Sequence, residues 1–260
     1  MGWDESRFYE INGRTYPSVT TILSVIAKPA LGPWYAKMER ERFTDAVFKA
    51  ALDLEERSAR LSPEGLVKMV LKMVEGAKAG DMEKQKAADM RTAAHALIEW
   101  HTRTMLGEDP GPEPRVPDAA MLAVESWKDW AKQVSFKPVW VERVVYHRQF
   151  GYAGTGDWMG YVHGVMSLGD LKTGKAIYPE AWLQNVAYRD AYASMFAADD
   201  PAAMDLPATQ GIILRLPKSL ADPTFEAQVV PDTSLEDFLA CKRLWEWQRR
   251  SSGKPVDRKS

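Results

Sequence analysis

Two aspartates and a lysine are the residues best suited to chemistry in this chain. Asp157 and Asp170 lie thirteen positions apart around His163-Gly164, with mostly apolar or small residues on either side. If His163-Gly164 forms a two-residue hairpin turn, antiparallel register sets Asp157 opposite Asp170. Side chains alternate faces along a strand, so Asp170 and Lys172 share one face. Two carboxylates this close repel each other unless they share a proton or hold a cation. Oxygen donors beside a lysine suit Mg²⁺ or Mn²⁺. Such an ion polarises a phosphoryl oxygen and lowers the pKa of a bound water, while Lys172 holds that water or offsets charge on the phosphate. The same spacing fits an ordinary hairpin carrying a surface ion pair, which contributes under about 1 kcal/mol.

Three blocks then follow in order: Gly154-Thr155-Gly156-Asp157, Asp170-Leu171-Lys172-Thr173, and Gln184 with Tyr188 one helical turn later. Together they resemble the PD-(D/E)XK nuclease superfamily, closest to its RecB-like and phage exonuclease branch, with Gly156 standing where the superfamily name has proline. The resemblance implies an α/β fold with a mixed central sheet flanked by helices and a helical N-terminal half. It implies Asp157, Asp170, Lys172, Gln184 and Tyr188 as catalytic residues. It also implies a metal shell of Asp157, Asp170, the Leu171 carbonyl and a histidine on a helix before the sheet. Ala94-His95-Ala96-Leu97 matches that position, although by its residues alone His95 reads as a packing histidine. Glu99, four residues on, shares its face and is a weaker candidate. His101 and His163 read as surface, packing or turn residues.

The implied activity is Mg²⁺- or Mn²⁺-dependent hydrolysis of DNA by an exonuclease working on free ends in phage-type recombination or repair. An annealing or recombination protein is an expected partner. An endonuclease of the same fold, or a non-cleaving DNA-end binder, is the alternative. Some RecB-like relatives carry an iron–sulfur cluster; the single thiol here, Cys241, cannot ligate one, so none is expected.

The elements that must position these residues are legible around them. Asn12-Gly13 marks an N-terminal hairpin. Ser18, Thr20 and Thr21 offer a cap for a short helix through Ile26. A second helix from Gly32-Pro33 to about Leu54 shows Trp34, Met38, Phe43 and Val47 or Phe48 as an inner stripe, with Lys37, Arg40 and Arg42 on a face that is either solvated or touches phosphate. Pro63 to Gly107 reads as two helices broken around Gly76 to Asp81, the second with Met90, Ala94, Leu97, Ile98 and Met105 inward. Asp118 reads as the cap of a helix through Gln133, with Val124, Trp127, Ala131 and Val134 facing the core.

Pro138 to Tyr146 is the first core strand, and its lone charge, Glu142, requires a partner: the metal site, or a base such as Arg143 or Arg148. After the hairpin, a helix starting near Pro179 carries Gln184, Tyr188 and Tyr192; Lys175 and Arg189 are candidate phosphate contacts. Two strands, Thr209 to Leu216 and Phe225 to Pro231, precede a closing helix with Phe238, Leu244 and Trp245 inward. The expected organisation is one domain over residues 1–250, with a helical part 17–134, a sheet core 138–231 and a closing helix 232–250. Residues 251–260 form a disordered tail.

Composition sets the outer limits. The chain has 260 residues, of which 45% are hydrophobic and 27% charged, as in a folded globular protein. No apolar run reaches the roughly 20 residues of a membrane helix, and MGWDESRFYE has no signal-peptide pattern. With a lone cysteine, these point to the cytoplasm of a bacterium or infected host and away from a membrane partner. A net charge of −2 argues against a sequence-independent DNA coat, but acidic metal sites offset basic grooves in nucleases.

Overall fold

The computed structural model describes residues 7–26, 28, 31–57, 59–76, 78–199, 208–217 and 221–256. The chain divides into two compact units, Ala27–Asp89 and the remainder, Met1–Ile26 with Met90–Ser260. The division falls inside the helical N-terminal part, residues 17–134.

The larger unit opens with a hairpin, β1 (Phe8–Ile11) and β2 (Arg14–Pro17), turned by Asn12 and Gly13 at positive φ. Helix α1 (Val19–Ile22) follows, its first turn closed by the Ser18 hydroxyl accepting from the Thr21 N–H, and a 3-10 turn continues it over Leu23–Val25. In the smaller unit, α2 (Leu31–Glu56) pairs with α3 (Pro63–Met73). Ala46 and Ala50 of α2 are buried against Val70. Phe43, Val47 and Phe48, expected inward, are instead exposed. Two alanines let the helices approach closely, and bulkier side chains are displaced to the flanks. Helix α4 (Ala79–Met105) runs from this unit into the larger one, where Ala94, Leu97 and Ile98 enter the core and Met105 is exposed at the end.

Helix α5 (Asp118–Gln133) starts at the residue expected to cap it. Asp118 is the first helical residue behind Pro117, and no side chain caps it. Five strands then build one mixed sheet: β3 (Lys137–His147), β4 (Tyr152–Val162), β5 (Val165–Lys172), β6 (Gln210–Arg215) and β7 (Glu226–Val229), side by side in that order. Only β5 and β6 run parallel, bridged by α6 (Pro179–Asp199). One face packs on α4 and α5 through Trp127, Trp130, Phe136 and Trp158. The other packs on α1, α6 and the closing helix α7 (Leu235–Ser251), where Phe238 and Trp245 are buried but Leu244 is exposed. The α/β layout, the mixed sheet and the helical N-terminal half are as expected.

Residues 252–256, assigned above to a disordered tail, fold back on α7: the Arg249 guanidinium donates to the Pro255 carbonyl, and Val256 joins the core margin. Residues 257–260 of that tail lie outside the described residues.

The hairpin that carries the motif is held by one close approach. Gly169 stands across from Trp158, and a Cβ at 169 would fall 1.8 Å from the indole, which is itself 1% exposed. Gly169→Ala should therefore lower stability by about 3 kcal/mol in urea unfolding, through overpacking with no space for the indole to move into. A loss under about 1 kcal/mol would show that the ring can shift.

Candidate active site

The turn at His163-Gly164 has positive φ at both residues, and β4 and β5 pair from Val162↔Val165 to Trp158↔Gly169. One step further, where Asp157 and Asp170 would pair, the ladder stops. Strand β4 stays on β3 and β5 stays on β6, so the strands diverge. The divergence leaves the Leu171 N–H without a strand partner, and it donates to Asp157 Oδ2 at 2.6 Å. The two aspartates thus converge at the fork without pairing directly.

On β5, Lys172 Nζ lies 2.6 Å from Asp170 Oδ2 and donates to Gln184 Oε1 at 3.0 Å. The Gln184 amide in turn donates to Asp170 Oδ1 at 2.9 Å and to the Tyr188 hydroxyl at 3.2 Å. These four residues form one hydrogen-bonded group, which the i, i+4 spacing of Gln184 and Tyr188 on α6 makes possible. Tyr188 does not line the cleft; it is buried beneath it, its ring against Gly154, where a Cβ would stand 2.3 Å from Cε1. It supports the site from below. Arg189 donates to the Thr209 carbonyl at 3.4 Å and Lys175 is exposed; neither lines the cleft.

From the opposite face α4 presents His95, whose Nε2 is buried without a hydrogen-bond partner. Glu142 arrives from β3. It falls between the pairs Val141↔Trp158 and Arg143↔Gly156, the position across from Asp157, with φ at +46°. A non-glycine residue in that conformation costs about 1–3 kcal/mol. Its carboxylate turns toward the site: one donor atom each from His95, Glu142 and Asp157 lie within 4.8 Å of one another. Glu99 also reaches this cleft but is held by Arg103 at 2.8 Å. His101 lies outside it, 4.0 Å from Glu113.

All of this surrounds a cleft of about 520 Å³. Its remaining lining includes Thr20, read in the sequence only as a helix cap, and Arg7 and Arg91, which sequence reasoning did not single out. Arg91 was findable, since it precedes His95 by four residues on the same helix; Arg7 had no sequence signal pointing to it.

The electrostatics are those of acids crowded away from water. Burial pushes Asp170 up to about 6, with Asp157 adding to the rise and Lys172 opposing it. Burial also raises Asp157 against the pull of Lys172 and the Leu171 N–H. Glu142 is pushed up to about 8 by burial and then by the Asp157 and Glu99 carboxylates. Burial brings His95 down to about 4, which keeps the imidazole neutral and able to donate its lone pair. Facing carboxylates and an uncharged imidazole with an unbonded nitrogen form a donor set that fits a divalent cation.

The folded protein holds a proton on Glu142 that the unfolded chain, with a glutamate near 4.5, releases. The contribution of Glu142 to stability therefore falls as pH rises from about 4.5 to about 8. With divalent ions chelated, Glu142→Gln should gain in melting temperature over wild type as pH rises through that window. A difference that stays flat with pH would show that Glu142 titrates normally.

Compared with known proteins, the chain matches no family model and no curated protein sequence.

Proposed function

We propose that this protein is a divalent-metal-dependent DNA nuclease of the PD-(D/E)XK, RecB-like type, an exonuclease hydrolysing phosphodiester bonds at DNA ends in recombination or repair. The observation that supports this most is the meeting of Asp157, Asp170, Lys172 and His95 in one cleft, from two strands and a helix of opposite faces of the sheet.

Asp157, Asp170, His95 and the Leu171 carbonyl are the groups that would hold Mg²⁺ or Mn²⁺. When bound, the ion supplies positive charge to a phosphoryl oxygen and acidity to the attacking water. Lys172 carries the remaining chemistry. Its ammonium, held between Asp170 and Gln184, sits where it can orient a water for in-line attack and offset charge on the phosphate. Gln184 fixes that lysine, and Tyr188 fixes Gln184. Arg7 and Arg91 bring positive charge to a cleft otherwise rich in carboxylates, which suits a polyanionic substrate. Among the described residues no helix is long and apolar enough to cross a membrane.

The test is incubation of linear and circular DNA with Mg²⁺, Mn²⁺ or EDTA. Metal-dependent loss of linear DNA alone supports an exonuclease, nicking of circles would make it an endonuclease, and a gel shift without degradation would make it an end binder. Asp170→Ala and Lys172→Ala should each lower cleavage by about 10³-fold while the fold survives by circular dichroism. Wild-type cleavage in either variant would overturn the assignment. His95→Ala should weaken cleavage and change metal preference; if both are unchanged, His95 is no ligand.

A further inference from the structure

We propose that three arginines laid on tyrosine rings, Arg7, Arg14 and Arg148, form a track for the DNA backbone that leads out of the cleft along the N-terminal hairpin. The inference rests on the nuclease reading above and adds the surface over which the substrate strand runs.

Arg7-Phe8-Tyr9, Arg14-Thr15-Tyr16 and Tyr146-His147-Arg148 each set an arginine two positions from a tyrosine. In extended chain that spacing puts both side chains on one face. Each guanidinium accordingly lies over its ring, with Cζ 5.0 Å from the Tyr9 centroid, 5.6 Å from that of Tyr16 and 5.8 Å from that of Tyr146. The three rings adjoin: Tyr9 and Tyr16 are cross-strand partners, and Tyr16 meets Tyr146 at 5.7 Å. One continuous patch results, and it begins in the cleft. Arg7 lines that cleft, and the Tyr9 hydroxyl lies 3.0 Å from Oγ1 of Thr155, another lining residue. The backbone of Arg7 is fixed there, its N–H donating to the Thr21 hydroxyl and its carbonyl accepting from the Ser18 N–H.

The chemistry of the patch selects phosphate over bases. Tyr16 and Tyr146 are 3% and 8% exposed, so no base can stack on them, whereas all three arginines are exposed. A guanidinium resting on a ring keeps its planar fork of donors and loses little freedom when it meets a phosphate. Arg7 and Arg14 form no ion pair among the described residues. Glu10, the one acid of the hairpin, pairs with Thr15 and alternates to the other face. In a chain of net charge −2, this grouping does not follow from overall basicity. Arg14 stands across from Ile11, four residues beyond Arg7. The two arginines are therefore about 13 Å apart along the strand, a span of about four phosphates on one strand of a duplex. Contacts of this kind position a strand without reading its sequence.

Fluorescence anisotropy of the full chain with a labelled DNA duplex and with its single strand, in EDTA over a series of salt concentrations, reads binding without cleavage. Arg14→Gln and Arg148→Gln should each weaken binding about threefold. Each should also lower the slope of log affinity against log salt by about 1. Lys128→Gln makes the same charge change on α5 and should alter neither quantity. Circular dichroism establishes that each variant is folded. Folded Arg14→Gln and Arg148→Gln proteins with wild-type affinity and slope overturn the track, and so does an equal loss in Lys128→Gln, which would reduce the effect to overall charge. Cleavage by wild type alongside unchanged binding in both arginine variants sinks this inference and leaves the nuclease reading standing. Binding that depends on Arg14 in a protein that cleaves no DNA does the reverse.

Discussion

The parting of β4 from β5 is the constraint on which the site depends. Paired strands satisfy their own N–H and C=O groups and leave nothing for a ligand. Beyond Trp158↔Gly169 that mutual satisfaction ends, because β3 holds one strand and β6 holds the other. The Leu171 N–H is taken by the Asp157 carboxylate, which binds the fork together and fixes the first acid in space. The ladder's end also leaves room between the strands. Both consequences come from backbone pairing, before any side-chain chemistry is considered.

Electrostatic crowding follows directly. Asp157, Asp170 and Glu142 come from adjacent strands, and burial pushes each toward its protonated form. A single lysine cannot neutralise three such groups. Lys172 is engaged with Asp170 and Gln184, and the cations nearest Asp157 and Glu142, among them Arg7, Arg91 and Arg103, oppose the rise in their pKa without reversing it. The protein thus carries an unbalanced acidic pocket at the cost of stability, and under the proposed function the divalent ion restores the balance.

How far the sequence could be read depended on the range of the interactions involved. The hairpin turn, the shared face of Asp170 and Lys172, and the pairing of Gln184 with Tyr188 are set by local periodicities, so they were legible. Three features were not legible, for physical reasons. The inner face of α2 depends on which residues let α3 come close, and hydrophobicity marked Phe43 and Phe48 where packing selected Ala46 and Ala50. The extension of residues 252–256 along α7 rests on Arg249 donating to a backbone carbonyl, which has no compositional signature. The aim of Glu142 depends on one backbone dihedral, its positive φ within β3. Its sequence showed that a partner was needed but not which one.

Packing at a distance joins these parts. Gly154 and Tyr188 look like separate features of two motif blocks, yet they are the two sides of one contact, since any Cβ at 154 would meet the phenol ring at 2.3 Å. That contact lets α6 lie close over β4. The Tyr188 hydroxyl then meets Gln184, and Gln184 reaches both Asp170 and Lys172 on β5. A glycine on one strand therefore governs the placement of a lysine on the next, through a ring and an amide on a helix. The glycine, the D-x-K and the helical Gln–Tyr pair are thus joined by contact, each setting the distance at which the next can bond.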